Sequence, residues 1–202
     1  MTRRVIHYAR SMSRWAPDAA LRLETAALEL FAEQGYAATT VPEITARAGL
    51  TTRTFFRHFV DKREVLFLRD REFPAVVSTL LTRAPSGLSP LGLVMFGFEA
   101  AASQDFAEWR EGMLVRRDII RSDGHLRERE LLKSSRLADA VATALADYDV
   151  PPADVVPLAR YGVLLFDLAL DEWLDGDDGR SLLDVLRATR ARMERATGPA
   201  SE

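Results

Sequence analysis

Apolar residues in this chain recur at spacings of three and four, and no segment alternates with a period of two between hairpin turns. Pro17 suits a first helical turn, and Asp18 favours the positive end of the dipole. From there Leu23, Ala27, Leu30 and Phe31 draw one stripe, which Gly35 stops. Thr40-Val41-Pro42-Glu43 predicts a capping box for a short second helix, with Val41, Ile44 and Ala48 inward and Gly49 at its end. Between Thr51 and Phe59 a third helix is expected. Phe55 and Phe59 share a burying face, Thr52 and Phe56 a second, and Arg53 and Arg57 one beside it. Asp61-Lys62-Arg63-Glu64 predicts another capping box, opening a long helix through Val65, Leu66 and Leu68 that Pro74 kinks. Further helices are expected at 89–103, 106–121 and 125–147, then from Pro152 to Leu174 and from Ser181 to Ala196. The expectation is an all-α chain of about nine helices.

One of these helices is too apolar to stand alone. Residues 155–174 are apolar at fourteen of twenty positions and on nearly every side, so they need cover all round. A second subunit is the expected source of part of it.

Composition narrows the chemistry. The 202 residues are 48% hydrophobic and 28% charged, which fits a soluble globular chain, and no uncharged run is long enough to span a bilayer. Cysteine is absent, which removes disulfides, thiolate nucleophiles and Cys-ligated zinc. His7, His58 and His125 are scattered without a His-Glu-x-x-His spacing, and neither phosphate-binding glycine motif occurs. Asp175-Gly176-Asp177-Asp178-Gly179 lacks the closing Glu of a calcium loop and reads as a turn. No enzyme, metal or cofactor is therefore expected. The net charge of −3 hides an asymmetry: residues 1–62 carry nine Arg and Lys against six Asp and Glu, and the remainder is acidic. A polyanion contact at one end fits that split.

Two short helices joined by a glycine-containing turn match a helix-turn-helix, whose second helix enters the major groove of DNA. Thr52 and Thr54 offer hydroxyls to bases or phosphates, Arg53 and Arg57 can fork onto guanine or phosphate, and Phe56 can lie against a sugar or a thymine methyl. Thr40 and Lys62 sit at helix starts, where free N–H groups favour a phosphate. Exposed Thr and Arg on a short helix also describe an ordinary solvated face. Phe56 tips the balance, because an aromatic outside the Phe55 and Phe59 stripe needs a partner.

Five segments then occur in order: Leu30-Phe31-Ala32-Glu33-Gln34-Gly35-Tyr36, Thr39-Thr40-Val41-Pro42-Glu43-Ile44, Ala48-Gly49-Leu50, Thr54-Phe55-Phe56-Arg57-His58-Phe59, and Asp61-Lys62-Arg63-Glu64-Val65-Leu66. In order and spacing, residues 21–67 resemble the DNA-binding domain of the TetR family of bacterial transcriptional regulators. By that resemblance Thr40 matches a phosphate contact at the start of the second helix. Thr52, Arg53 and Thr54 match the base-reading first turn of the recognition helix. Phe56 matches a backbone-contacting position usually held by Tyr, without its hydroxyl. His58 matches a frequent phosphate contact, and Lys62 the phosphate-binding lysine that opens the fourth helix. Pro42 replaces a residue that in some relatives is polar and touches a base.

The resemblance also implies an organisation. A disordered basic arm at 1–15 precedes a helix-turn-helix domain at 16–66, and residues 67–202 form a ligand-binding and dimerisation domain. The expected protein is a bacterial, cytoplasmic homodimer without membrane contact. Its last two helices, Pro152 to Leu174 and Ser181 to Ala196, would pack against their copies. A palindromic double-stranded operator would be released when a small-molecule effector binds between the middle helices. Arg117-Asp118-Ile119-Ile120 followed by Leu126-Arg127-Glu128-Arg129 is similar to family branches tied to acyl-coenzyme A or mycofactocin-linked metabolism, although a proline expected near Gly124 is absent.

An effector pocket needs an apolar, aromatic lining with a few polar groups. The helix at 106–121 offers Trp109, Met113, Arg116 or Arg117, and Ile120 along one stripe, with Phe96 on the helix before. An arginine there would neutralise an anionic ligand. The competing assignment pairs Arg116 and Arg117 with Asp118, Glu128 or Glu130 and leaves Met95, Phe96 and Phe98 as core. Tyr161 and Trp173 fall to the dimer interface. Three functions stay open: a ligand-responsive repressor, a DNA-binding activator or regulator without a small-molecule inducer, and a helical interaction module with a vestigial helix-turn-helix.

Overall fold

Regular structure in the computed structural model, which describes residues 17–71, 73–104, 106–177 and 179–197, is helical throughout. The arm expected at 1–15 lies outside the described residues. Nine α-helices run in order among them: α1 (Pro17–Gln34), α2 (Val41–Ala48), α3 (Thr52–His58), α4 (Phe73–Leu81), α5 (Pro90–Ala102), α6 (Arg110–Ser122), α7 (Gly124–Leu145), α8 (Pro152–Asp175) and α9 (Leu182–Thr197). The all-helical expectation with its N-terminal helix-turn-helix holds.

The fourth helix differs from its prediction. Asp61 Oδ1 accepts the Arg63 and Glu64 N–H groups at 2.8 and 3.3 Å, but the chain then makes two 3₁₀ turns, Glu64–Phe67 and Arg69–Arg71. The α-helix begins only at Phe73. Pro74 explains the break: inside a continuous helix its ring would strike the Asp70 carbonyl, whereas the first turn of a new helix has no such partner. The helix expected from 106 likewise opens as a 3₁₀ turn, Ala107–Trp109, before α6. Trp109 therefore lies off the α6 stripe that was to carry it.

The chain divides into two units. The first joins the described residues up to Arg71 with Glu111–Arg127, a segment the sequence reading assigned to the ligand-binding part. Its core explains the grouping. Leu23, Leu30 and Phe31 of α1, Ile44 of α2, and Phe55 and Phe59 around α3 bury with Val65 and Leu66, and Ile119, Ile120 and Leu126 belong to the same cluster. Charge ties cross it as well. Glu24, 5% exposed, takes the Arg69 guanidinium at 2.9 Å, and Arg116 donates to Leu66 O at 2.6 Å and Asp70 Oδ2 at 2.7 Å.

The second unit comprises the described residues of Glu72–Arg110 and Glu128–Glu202. In it α5 packs on α4, α8 and α9, around Val77, Leu81, Val94, Met95, Phe98, Leu165, Phe166 and Leu186. Gly162 lets α8 approach α5 closely: a Cβ there would overlap Val94 Cγ1 and fall 2.9 Å from Phe98 Cε2. Arg110 Nη2 donates to the carbonyls of Leu174 at 2.9 Å and of Gly176, capping the negative end of α8.

Candidate nucleic-acid interface

Two turns of helix are not stable alone, and α2 and α3 are held both by the burial of Ile44 and Phe55 and by caps at their ends. Thr40 caps α2 in an extended conformation. Its N–H and hydroxyl donate to Glu43 Oε2 at 2.8 and 2.7 Å, and Thr40 Oγ1 accepts the Glu43 N–H. These bonds hold the Glu43 carboxyl below its ordinary range. Gly49 ends α2 with φ 65°, the left-handed conformation glycine tolerates. Arg22 of α1 donates to the Ala48 carbonyl at 2.5 Å. Thr51 then caps α3, accepting the Thr54 N–H at 3.2 Å.

α3 divides into an anchored and an open face. Phe55 is fully buried and Phe59 is 2% exposed, their ring centroids 5.3 Å apart. On the opposite side Thr52, Arg53 and Arg57 are exposed. Phe56 stands 59% exposed, edge-on to Phe55 at 5.4 Å. Arg53, Thr54, Phe56 and Arg57 line an open depression of about 390 Å³. No acidic residue occurs from Thr51 to Val60, so this surface is cationic.

The other expected contacts are partly engaged. The Thr54 hydroxyl shares a 3.0 Å hydrogen bond with Thr51 and is half-buried. His58 is half-buried with Nε2 3.4 Å from Arg57 Nη2. Burial, then the charges of Arg57 and Arg71, lower its pKa, so the free protein carries it neutral near pH 7. Lys62 does not point freely to solvent. Its Nζ donates to the carbonyls of Tyr36, Thr39 and Ala37 at 2.7, 2.9 and 3.4 Å.

Sequence reasoning overlooked three arginines that build the site. Arg22 closes α2, Arg47 bridges Glu29 and Glu33 of α1, and Arg71 donates to the His58 carbonyl at 3.2 Å while lying over the Phe59 ring. A helix end that needs a cation for its last carbonyls was the available signal.

The expected effector residues are dispersed. Ile120 is 5% exposed within the core of the first unit, and Arg116 is ion-paired to Asp70 over the Phe67 ring, a partner not among those anticipated. Met113 and Arg117 are half-buried in that same unit. Phe96 and Trp109 belong to the second unit, both half-buried, with Trp109 edge-on to Phe106 at 5.9 Å. Trp173 is buried and donates Nε1–H to the Arg180 carbonyl at 3.0 Å, so its polar end is satisfied within the chain. Among the described residues no group of acidic or histidine side chains could hold a metal ion, and no helix is long and apolar enough to cross a membrane.

Residues 24–67 match the family model described as bacterial regulatory proteins, tetR family, over the segment that forms α1 to α3 and the turn after them. That segment is similar to the DNA-binding part of the tetR family. The chain is 32% identical over 126 residues to the HTH-type transcriptional regulator TcmR of Streptomyces glaucescens, a match that covers 59% of this chain and only about half, 55%, of that relative. Its fold resembles that of Thermus thermophilus FadR, a repressor solved in complex with lauroyl-CoA, at 22% identity and a TM-score of 0.58 over 91% of this chain and 96% of that one. It also resembles the fatty acid degradation regulator FadR of Bacillus halodurans, at 16% identity and a TM-score of 0.59 over 94% and 100% of the two chains.

Proposed function

We propose that this chain is an operator-binding transcriptional regulator that acts as a homodimer, a repressor released by a small apolar or acyl-type effector. The open face of α3 carries the proposal: a cationic, acid-free surface of Thr52, Arg53, Phe56 and Arg57 on a helix locked from behind by Phe55 and Phe59. Such a helix suits the major groove, where Arg reads guanine and an aromatic edge packs on a thymine methyl or sugar. The likeness of residues 24–67 to the tetR family supports the same reading. The likeness to a repressor holding lauroyl-CoA and to a fatty acid degradation regulator supports an acyl-type effector. Pairing through α8 and α9 is supported by exposed Val156, Leu164 and Leu168 on α8.

A regulator or activator without small-molecule input is the second reading. It draws on Arg116 and Ile120, which the effector stripe needed and the first unit has taken. One experiment addresses both. Fragments bound from a random duplex pool should contain an inverted repeat with half-sites about one helical turn apart or a small multiple of it. Acyl-CoA thioesters and free fatty acids are then titrated against that complex. Enriched fragments without two-fold symmetry overturn the dimeric operator, and retention of DNA across the acyl series favours the second reading.

A further inference from the structure

We infer that Lys62 is a positioning residue, a clip that fixes the turn between α1 and α2 and thereby the reading head, and that it makes no phosphate contact of its own; this rests on the DNA-binding reading above. An ammonium has three protons and no acceptor. Here the Lys62 nitrogen faces three carbonyls of one turn, Tyr36 O at 2.7 Å, Thr39 O at 2.9 Å and Ala37 O at 3.4 Å, with the Tyr36 ring centroid 4.4 Å away. A phosphate oxygen could be reached only by surrendering one of these bonds. Burial lowers the Lys62 pKa, consistent with an ammonium drawn into the protein, and Asp123 opposes that shift.

The grip falls on a decisive peptide unit. The Thr39 carbonyl belongs to the same peptide plane as the Thr40 N–H, and that N–H donates to Glu43 Oε2 at 2.8 Å. Lys62 therefore holds one end of the plane and the capping box the other, which sets where α2 starts. The inner side of the turn is closed by Thr39, 1% exposed, whose hydroxyl donates to Gly35 O at 2.8 Å. Tyr36 in turn packs edge-on to Phe31 of the core at 5.1 Å. The turn is the covalent link between α1 and α2 and acts beside the Arg22–Ala48 and Arg47–Glu33 contacts, and α3 comes after α2 across Gly49 and Leu50.

The test compares the full-length chain with Lys62→Met, well below either melting temperature. Binding to a mixed-sequence DNA duplex is followed by fluorescence anisotropy across a sodium chloride series. Amide hydrogen exchange is measured in parallel. The clip predicts about tenfold weaker binding, the equivalent of ~1.4 kcal/mol, an unchanged slope of log affinity against log salt, and faster exchange at the Thr40 amide. A slope shallower by about one per subunit restores the phosphate contact and overturns the inference. Unchanged affinity overturns it too, since the turn would then not orient the head. Should the wild-type chain bind no duplex, the DNA-binding reading fails, and exchange at Thr40 still decides the clip: an unaltered rate removes it.

Discussion

At the scale of single residues, side-chain identity was legible in the sequence but occupancy was not. Spacing alone placed Phe55 and Phe59 inward and Phe56 outward, because a helix fixes direction from register. It could not show that the Thr54 hydroxyl would bond Thr51, or that the ammonium of Lys62 would be engaged by carbonyls of the turn between α1 and α2. Arg53 and Arg57 thus carry most of the expected readout. Replacing Arg53 by Ala should cost about 1–3 kcal/mol of operator affinity and relax preference at one base pair of each half-site, as read by binding to a panel of single-substituted operators. A uniform loss across that panel would make Arg53 a phosphate contact instead. His58 gives a prediction with a definite sign. Its folded pKa is depressed, so its stability contribution is present above the unfolded pKa near 6.5 and is lost as pH falls. A nearby phosphate reverses the preference, and binding should then take up a proton. Operator affinity is expected to rise between about pH 8 and pH 5.5 in the wild type and to flatten in His58→Gln. Equal pH profiles would assign His58 to packing.

Among the elements, strongly periodic helices were found within a few residues of their predicted ends, and the failures have local causes. Asp61 announced a helix start correctly, yet Pro74 stands too close for that helix to continue, so two 3₁₀ turns fill the gap. The membership of 111–127 was not legible because the stripe of α6 gives an apolar face without naming its partner; Ile119 and Ile120 fit a pocket wall or a domain core equally well on pattern alone. Two predictions belong to α8. Gly162→Ala forces a methyl group onto Val94 and Phe98, and should lower stability by about 1–3 kcal/mol in a denaturant titration. An unchanged midpoint would mean that α5 and α8 yield at no cost. Asp167 accepts the Ser134 hydroxyl at 2.8 Å, and burial raises its pKa. The protonated form is thus favoured in the fold, and stability falls as pH rises through that raised value. Asp167→Asn should accordingly melt higher than the wild type at neutral pH, with the difference closing in acid. A variant that melts lower at neutral pH would show that the Ser134 bond outweighs the burial.

For the whole molecule, the question is what completes α8. The sequence showed a helix apolar on nearly every side, and the fold covers only part of it: Ala159, Val163, Phe166, Ala169 and Trp173 are buried, while Val156, Leu164 and Leu168 are 48%, 47% and 42% exposed. Those three recur at multiples of four along one stripe, with exposed Arg160 between them, so they form a continuous strip and not scattered surface residues. A strip that a second copy covers with the same strip forms a closed two-fold contact, and such symmetry gives a palindromic operator one reading head per half-site. Charging this strip tests the dimer without disturbing the core, because both side chains changed already face outward. The double variant Leu164→Glu, Leu168→Glu should retain the helical circular dichroism of the wild type. It should sediment at the monomer mass at micromolar concentration, where the wild type sediments as a dimer. Its affinity for a full inverted repeat should drop to that for an isolated half-site. A dimeric double variant would move the interface away from this strip, and a monomeric wild type would remove the two-fold operator along with it.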